Sequence, residues 1–325
     1  MTNEQWTPLK LLAWTQGFFA RAGVDSPRLT AELLLAHALG CDRVRLYLDF
    51  DKPLGAPELA RYRELVRRRG EGEPTAYITG AREFYGHPFR VDARALIPRP
   101  ETELLVEAAL AALPPEGLAL DLCTGSGCVA ASLALERPQA RVWAVDLSAE
   151  ALAVARDNGE RLGAGVEWLV GDLFAPLPPG LRFDVIAANP PYVPSGELPG
   201  LARELAREPR LALDGGPDGL AVARRLVTEA VGWLRPGGTL VVEMHESHAG
   251  PLPDLCRAAG FTSAEVRRDL AGLPRLVIAR AISSELARHG QDHRRGRGGA
   301  PGRGAGLRRE ERGPAHPGRG APRRG

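Results

Sequence analysis

The sequence predicts an α/β fold, a doubly wound and mostly parallel sheet preceded by a small N-terminal helical bundle. Three patterns carry this reading. From residue 118 onward, short apolar runs alternate with segments of helical periodicity, the mark of parallel strands joined by crossover helices. Before residue 72 only helical periodicity occurs. Turn-forming and acidic residues follow directly after the apolar runs, where open α/β sheets bind their ligands.

Taken in order, Leu9, Leu12, Ala13, Phe18 and Phe19 recur at helical spacing. Ala31, Leu34, Leu35, Ala38 and Leu39 repeat it up to Gly40, a helix C-cap. Pro57 opens a third helix through Leu59, Tyr62, Leu65 and Val66 to Arg67, Arg68, Arg69 and Gly70. Residues 1–72 therefore form a helical domain, either a plain packing unit or a docking surface for a macromolecular partner. Residues 73–96 change to alternating apolar and polar side chains with turns at Gly80 and Gly86, which predicts a hairpin linker. Pro100 then starts a helix, with Glu101 and Glu103 at the positive end of its dipole. The apolar runs Leu118–Leu122, Val142–Val145, Val166–Val170, Val185–Ala188, Thr239–Val242 and Leu276–Ala279 are the expected strands of a domain spanning 97–282. The helices between them centre near 128–136, 149–161, 219–234 and 250–259. Residues 283–325, rich in Arg, Gly and Pro, cannot offset their ordering entropy and are expected to be a disordered tail.

Charge is unevenly spread along the chain. Residues 286–325 carry 11 Arg against 3 acidic side chains, whereas residues 1–285 hold 31 basic and 37 acidic ones. The acidic body argues against a broad grip on nucleic acid, which needs clustered cations to displace counterions. Weak RNA contact through the tail is the one nucleic-acid interaction expected. Cys41, Cys123, Cys128 and Cys256 lack the spacing of a zinc site, so no metal is expected, and they are too scattered for a disulfide framework. No apolar run approaches the ~20 residues of a membrane span, and the N-terminus lacks the pattern of a signal peptide, so a cytoplasmic protein with no membrane contact is expected.

Two constellations carry chemistry. The first is Asp121-Leu122-Cys123-Thr124-Gly125-Ser126-Gly127-Cys128, where Gly125 and Gly127 permit a tight turn and the following helix points free N–H groups at a ligand. The complete G-x-G-x-x-G pattern is absent, since Cys123 stands where the first glycine would be. Asp121 would repel a pyrophosphate and suit a cation. Asp146 ends the second run and can accept both hydroxyls of a ribose. Asp172 follows the third run and can accept from an adenine amino group. Alone, either acid is equally a helix N-cap; together they suit S-adenosylmethionine, an adenosine carrying a positive sulfonium. The second constellation is Asn189-Pro190-Pro191-Tyr192 after the fourth run. Two prolines fix the backbone and remove two N–H donors. Asn189 and the Pro190 carbonyl can then each accept one hydrogen of a planar NH2 group, aiming its nitrogen lone pair at a methyl donor, while Tyr192 stacks on the flat group. Asn189, Pro190 and Tyr192 are the expected catalytic residues, and Asn189 to Tyr192, including Pro191, the expected substrate contacts.

With these motifs the sequence resembles the class I, Rossmann-like methyltransferases that act on planar NH2 groups. It is most similar to the bacterial peptide chain release factor N5-glutamine methyltransferases, through GEPTAYITGAREFYG (72–86), LIPRPETELLVEAAL (96–110), FDVIAANPPYV (183–193) and EPRLALDGGPDGL (208–220). The resemblance implies a seven-stranded sheet and methylation of the glutamine in the GGQ motif of release factors. It implies that Cys123, Thr124, Gly125, Ser126, Gly127, Asp146, Asp172, Leu173 and Asn189 line the cofactor, and that the helical domain contacts the factor. The ribosomal protein L3 glutamine methyltransferases and the DNA amino-methyltransferases are the alternatives, the latter disfavoured by the acidic body. Three departures from the family pattern stand out. Cys123 occupies a position where glycine is frequent, Leu173 one where an aromatic residue is common, and His248 one where glutamine is expected. No role is assigned to His248. The charged segment 195–217 is either a solvated loop or an entrance for the substrate, and a monomer is expected.

Overall fold

The computed structural model describes residues 5–283; all of the predicted tail but its first residue lies outside the described residues. The N-terminal helices are α1 (Pro8–Arg21), α2 (Pro27–Leu39), α3 (Arg43–Leu48), α4 (Ala56–Gly70) and α5 (Thr75–Thr79). Their apolar stripes meet in one cluster that buries Phe19, Leu34, Leu35, Leu46, Tyr62 and Val66. Gly40 ends α2 in the left-handed conformation, as its position predicts. The short α3, capped by the Asp42 side chain on Arg45 N at 2.8 Å, is not evident in the sequence. Nor is α5, a single turn inside the stretch predicted as hairpin.

The hairpin itself follows as β1 (Ala81–Phe84) and β2 (His87–Arg90), antiparallel. Its turn residues Tyr85 and Gly86 both have positive φ, the geometry that matches strand twist in a two-residue loop. Glu103 Oε1 accepts from Tyr85 N at 2.9 Å, so this acid anchors the turn as well as facing a helix dipole. Phe84 and Phe89 bury against the next helix, α6 (Glu103–Ala112), beside Leu105, Val106 and Ala109.

The sheet comprises β3 (Leu118–Leu122), β4 (Arg141–Asp146), β5 (Val166–Val170), β6 (Phe183–Ala188), β7 (Leu234–Glu243), β8 (Ser263–Arg268) and β9 (Pro274–Arg280), with α7 (Cys128–Glu136), α8 (Ala149–Leu162), α9 (Arg210–Leu213), α10 (Ala221–Trp233) and α11 (Pro251–Ala259) between strands. The strand order is β5-β4-β3-β6-β7-β9-β8. The first five are parallel, and β9 and β8 are antiparallel additions. Alternate residues of each strand bury against opposite helical layers: Leu118, Leu120 and Leu122 in one, Ala119 in the other. This is the doubly wound, seven-stranded sheet expected. The unpredicted strand, β8, sits at the edge and has only Ala264 and Val266 as apolar residues. Successive strands are added to one side of β3 and then, from β6, to the other, so the ligand crevice is expected beyond the carboxyl ends of β3 and β6.

Candidate active site

The turn after β3 is shaped by backbone conformations that few residues adopt. Cys123 has φ 60°, Gly125 φ 56° and Gly127 φ 80°. For Cys123 this left-handed conformation costs about 1 kcal/mol, a cost that glycine would not carry. Gly127 caps α7, and a Cβ there would lie 2.9 Å from both Ala155 Cβ and the Trp168 ring. Asp121 is buried under the turn, where Oδ2 accepts from Thr124 Oγ1 at 2.5 Å and from Ala130 N at 3.2 Å. At the end of β4, Asp146 Oδ2 accepts from Gly125 N at 2.8 Å and Oδ1 from Ser148 N at 2.8 Å. Asp146 is therefore not the helix cap; Ser148 caps α8. At the end of β5, Asp172 Oδ2 accepts from Arg225 at 2.7 Å, leaving its second oxygen for another donor.

These residues line one cleft of about 1130 Å³, counted to its open mouth. It brings together Cys123, Thr124, Gly125, Ser126, Asp146, Asp172, Leu173, Asn189 and Pro191 of the predicted set. Gly127, Pro190 and Tyr192 are not among its lining residues, although each is a chain neighbour of one that is. Leu96, Val129, Leu211, Ala212 and Val222 give the cleft apolar sides. Burial pushes the Asp121 carboxyl up to about 7, with the Thr124 and Ala130 hydrogen bonds opposing. It also raises Asp146. Neither carboxyl has a cationic side-chain partner among the described residues. An apolar cleft with two unneutralised acids in its floor fits a cation bearing hydroxyls, and Gly125, whose absent Cβ would meet nothing within 4 Å, leaves room for close backbone approach.

The raised Asp121 has a consequence for stability. A carboxyl whose pKa is higher in the native state favours folding when protonated. That contribution is complete below about pH 4 and is lost as pH rises through 7. Its upper bound is about 4 kcal/mol, at ~1.4 kcal/mol per pH unit. Between pH 5 and pH 8 the urea midpoint of the wild type is expected to fall more steeply than that of Asp121→Asn. Equal slopes would contradict the assignment.

Asn189 follows β6, and its Nδ2 donates to Thr102 Oγ1 at 3.4 Å. No described residue engages Asn189 Oδ1. The rest of the motif is clamped by the segment 208–220. Val193 N donates to Leu213 O at 2.9 Å, Gly215 N to Val193 O at 2.8 Å, and Ser195 Oγ to Asp214 Oδ1 at 2.5 Å. Gly219 lies against the Tyr192 carbonyl. His248, given no role by the sequence reading, is buried beside Gly219 and its Nε2 lies 3.3 Å from Asp218 O. His245 stacks obliquely on Tyr192 with ring centroids 6.2 Å apart.

Four further side chains matter here, and sequence reasoning gave them no role. Glu208 is buried and accepts from Ile97 N at 3.0 Å and from Arg99, tying the LIPRPETE stretch to the EPRLALDGG stretch. Thr102 is buried against Asn189, and Glu243 is buried at the end of β7. The only sequence signal for the Arg99–Glu208 pair was that both lie in specific stretches; their separation hides the contact. Glu208→Ala is expected to cost about 2–3 kcal/mol, less than the ~3–5 kcal/mol of a fully buried pair because Arg99 is 29% exposed. Urea denaturation checks this, and a loss under 1 kcal/mol would contradict it. Segment 195–217 also touches the helical bundle, through the Arg69–Glu204 ion pair and Arg207 Nη2 on Glu71 O at 3.4 Å. The segment is thus tied down at these points, while Gly196, Glu197, Pro199, Gly200, Ala202, Arg203, Ala206 and Arg207 stay exposed.

No group of three or more metal-binding side chains occurs among the described residues, and no helix there is long and apolar enough to cross a membrane. Comparison with known proteins adds the following. Residues 10–80 match the family model described as the PrmC N-terminal domain, and residues 100–219 match the methyltransferase small domain. The release factor glutamine methyltransferase of Geobacter sulfurreducens is 46% identical over 278 residues, covering 85% of this chain and 98% of that protein. That of Rhodopirellula baltica is 44% identical over 287 residues, covering 85% and 96%. Among solved structures, the hMettl16 catalytic domain in complex with the MAT2A 3'UTR hairpin 6 is similar in fold, with TM-score 0.51 at 15% identity over 66% of this chain and 84% of that one. With nearly the whole length of these relatives covered at such identity, the chain belongs to the release factor glutamine methyltransferase family.

Proposed function

We propose that this protein transfers a methyl group from S-adenosyl-L-methionine to the side-chain amide nitrogen (N5) of the glutamine in the GGQ motif of translation release factors. The observation that carries the reading is Asn189: its NH2 is engaged by Thr102 while its oxygen is unengaged, on the wall of the cleft that Asp121 and Asp146 line. S-adenosylmethionine supplies, when bound, a methyl on a positive sulfonium that an amide nitrogen can attack. The turn Cys123 to Gly127 and Asp146 hold it, Asp146 through lone pairs not used by Gly125 and Ser148. The free oxygen of Asp172 suits the adenine amino group, and Leu173 offers an apolar face. Asn189 Oδ1 and the Pro190 carbonyl accept the two hydrogens of the substrate NH2, favouring a tetrahedral nitrogen, and Tyr192 and Pro191 border the flat group. No strong base is needed, because the nitrogen becomes acidic only once methylated.

We assign residues 1–72 to docking of the release factor, 73–96 to a linker, 97–282 to the methyltransferase domain and 283–325 to a tail. Trp14, Val44, Leu48 and Phe50, all about half exposed or more, support an apolar docking face on the bundle. The reading places a monomer in the cytoplasm. Incubation with labelled S-adenosylmethionine and a purified release factor tests it: label on the factor is expected, and label on DNA or ribosomal protein alone would contradict it.

A further inference from the structure

We propose that Arg69 is a positioning residue for the protein substrate: paired with Glu204, it fixes the helical bundle relative to the Asn189–Tyr192 motif, so that a release factor docked on the bundle presents its glutamine to the site. This rests on the docking role given to the bundle above. Arg69 lies in the last turn of α4, and its side chain is only 3% exposed. It forms an ion pair with Glu204, 135 residues away, and its Nη1 donates to Glu73 O at 3.4 Å. Its Nε has no hydrogen-bond partner among the described residues. A buried cation left partly unsatisfied is costly, and a buried ion pair is a poor source of net stability. Fixing register is the best-attested use of such a pair.

Two further contacts join the same parts of the chain. Arg207 Nη2 donates to Glu71 O at 3.4 Å. Gly72, with φ 91°, packs so closely that a Cβ there would lie 2.9 Å from Arg203 Cβ. Three contacts therefore hold residues 203–207 against the end of α4 and the turn after it. The chain then continues into the site. Glu208 accepts from Ile97 N and from Arg99. Pro209, Leu211 and Ala212 line the cofactor cleft. Leu213 and Gly215 pair with Val193, the residue after Tyr192. Residues 203–215 thus form a strut, with one end on the bundle and the other on the motif that holds the substrate amide.

A release factor that touches both the bundle and the site binds at two points. Once the first contact has formed, the second is intramolecular, and its effective concentration depends on how well the spacing of the two points matches the factor. A strut that sets this spacing raises affinity for the whole factor without touching the reacting atoms. Loosening it removes binding shared by the ground state and the transition state, so KM rises while kcat stands.

Two variants test this by different routes. Arg69→Met keeps most of the side-chain volume and removes the charge, and Glu204, 37% exposed, is left where water can reach it. KM for the release factor is expected to rise at least about 10-fold, part of what two-point binding contributes. Both kcat and KM for S-adenosylmethionine should stay within about 3-fold of wild type. Gly72→Ala alters no charge but pushes Arg203 away from the bundle, and the same split is expected. Loss of folded protein alone would lower kcat per enzyme and leave KM unmoved, so the split separates positioning from stability. Isothermal titration of the release factor into each enzyme gives a readout independent of turnover, and Kd should weaken by a factor similar to that in KM. A fall in kcat without a rise in KM, or a rise in KM for S-adenosylmethionine as large as that for the factor, would overturn the proposal. A wild type that binds the factor, with Arg69→Met binding it as tightly, would overturn the strut alone. A wild type that binds S-adenosylmethionine but no release factor would overturn the docking reading and the strut with it.

Discussion

Asn189→Ala is expected to lower the methylation rate by roughly 10²–10³-fold, the usual cost of deleting one preorganised hydrogen-bonding group at a reacting centre. The substitution removes the acceptor oxygen that faces the cleft, and with it the means of holding an NH2 group in a reactive orientation. It leaves Asp146, Asp172 and the turn from Cys123 to Gly127 in place. Affinity for S-adenosylmethionine should therefore change less than about 3-fold, because the groups that would hold adenosine are untouched. Single-turnover kinetics and isothermal titration separate the two quantities. Turnover close to wild type would remove Asn189 from its role. A large loss of cofactor affinity would instead make it chiefly a cofactor ligand.

Gly219→Ala is expected to be nearly as damaging, although residue 219 lies outside the cleft. Its φ of 74° already disfavours any side chain, and a Cβ would lie 2.3 Å from the Tyr192 carbonyl oxygen and 2.9 Å from the His248 ring. Both neighbours are packed, so the strain must move the Asn189–Tyr192 backbone. A displacement on the scale of 1 Å at reacting groups costs about 10²-fold in rate. The variant should also lose about 2–3 kcal/mol of stability, as overpacking and a left-handed β-carbon add. Melting and kinetics on the same preparation check both effects. Full activity would show that the clamp on Tyr192 does not control the site.

The fold was legible where the chain repeats a simple pattern. Strands β3, β4, β5 and β6 are short apolar runs bounded by turn residues, and each crossover helix shows its own periodicity. The edge strand β8 was hidden because it is half-exposed and mostly polar, and α3 because six residues are too few to show a period. At the site, residues next to one another in sequence were readable: the glycine turn, the acids at strand ends and the NPPY motif. Their partners were not. Glu208 meets Ile97 across 111 residues, and Asn189 meets Thr102 across 87. Such pairings follow from strand order and loop packing, which no local pattern encodes. The positive φ of Cys123 and Leu173 is likewise a product of tertiary context. Within segment 195–217, Leu213 and Gly215 pair with Val193 and Ser195 N donates to Gly216 O, contacts that no local sequence pattern encodes.

The central claim is that a proline-locked Asn189 presents a carboxamide nitrogen to a methyl donor held over Asp146. Mass spectrometry of a release factor, digested after incubation with enzyme and S-adenosylmethionine, tests it most directly. The account predicts a gain of one methyl on the glutamine of the GGQ peptide with wild type and none with Asn189→Ala. An unmodified glutamine in the presence of enzyme that binds S-adenosylmethionine, or a methyl placed on any other residue, would contradict it.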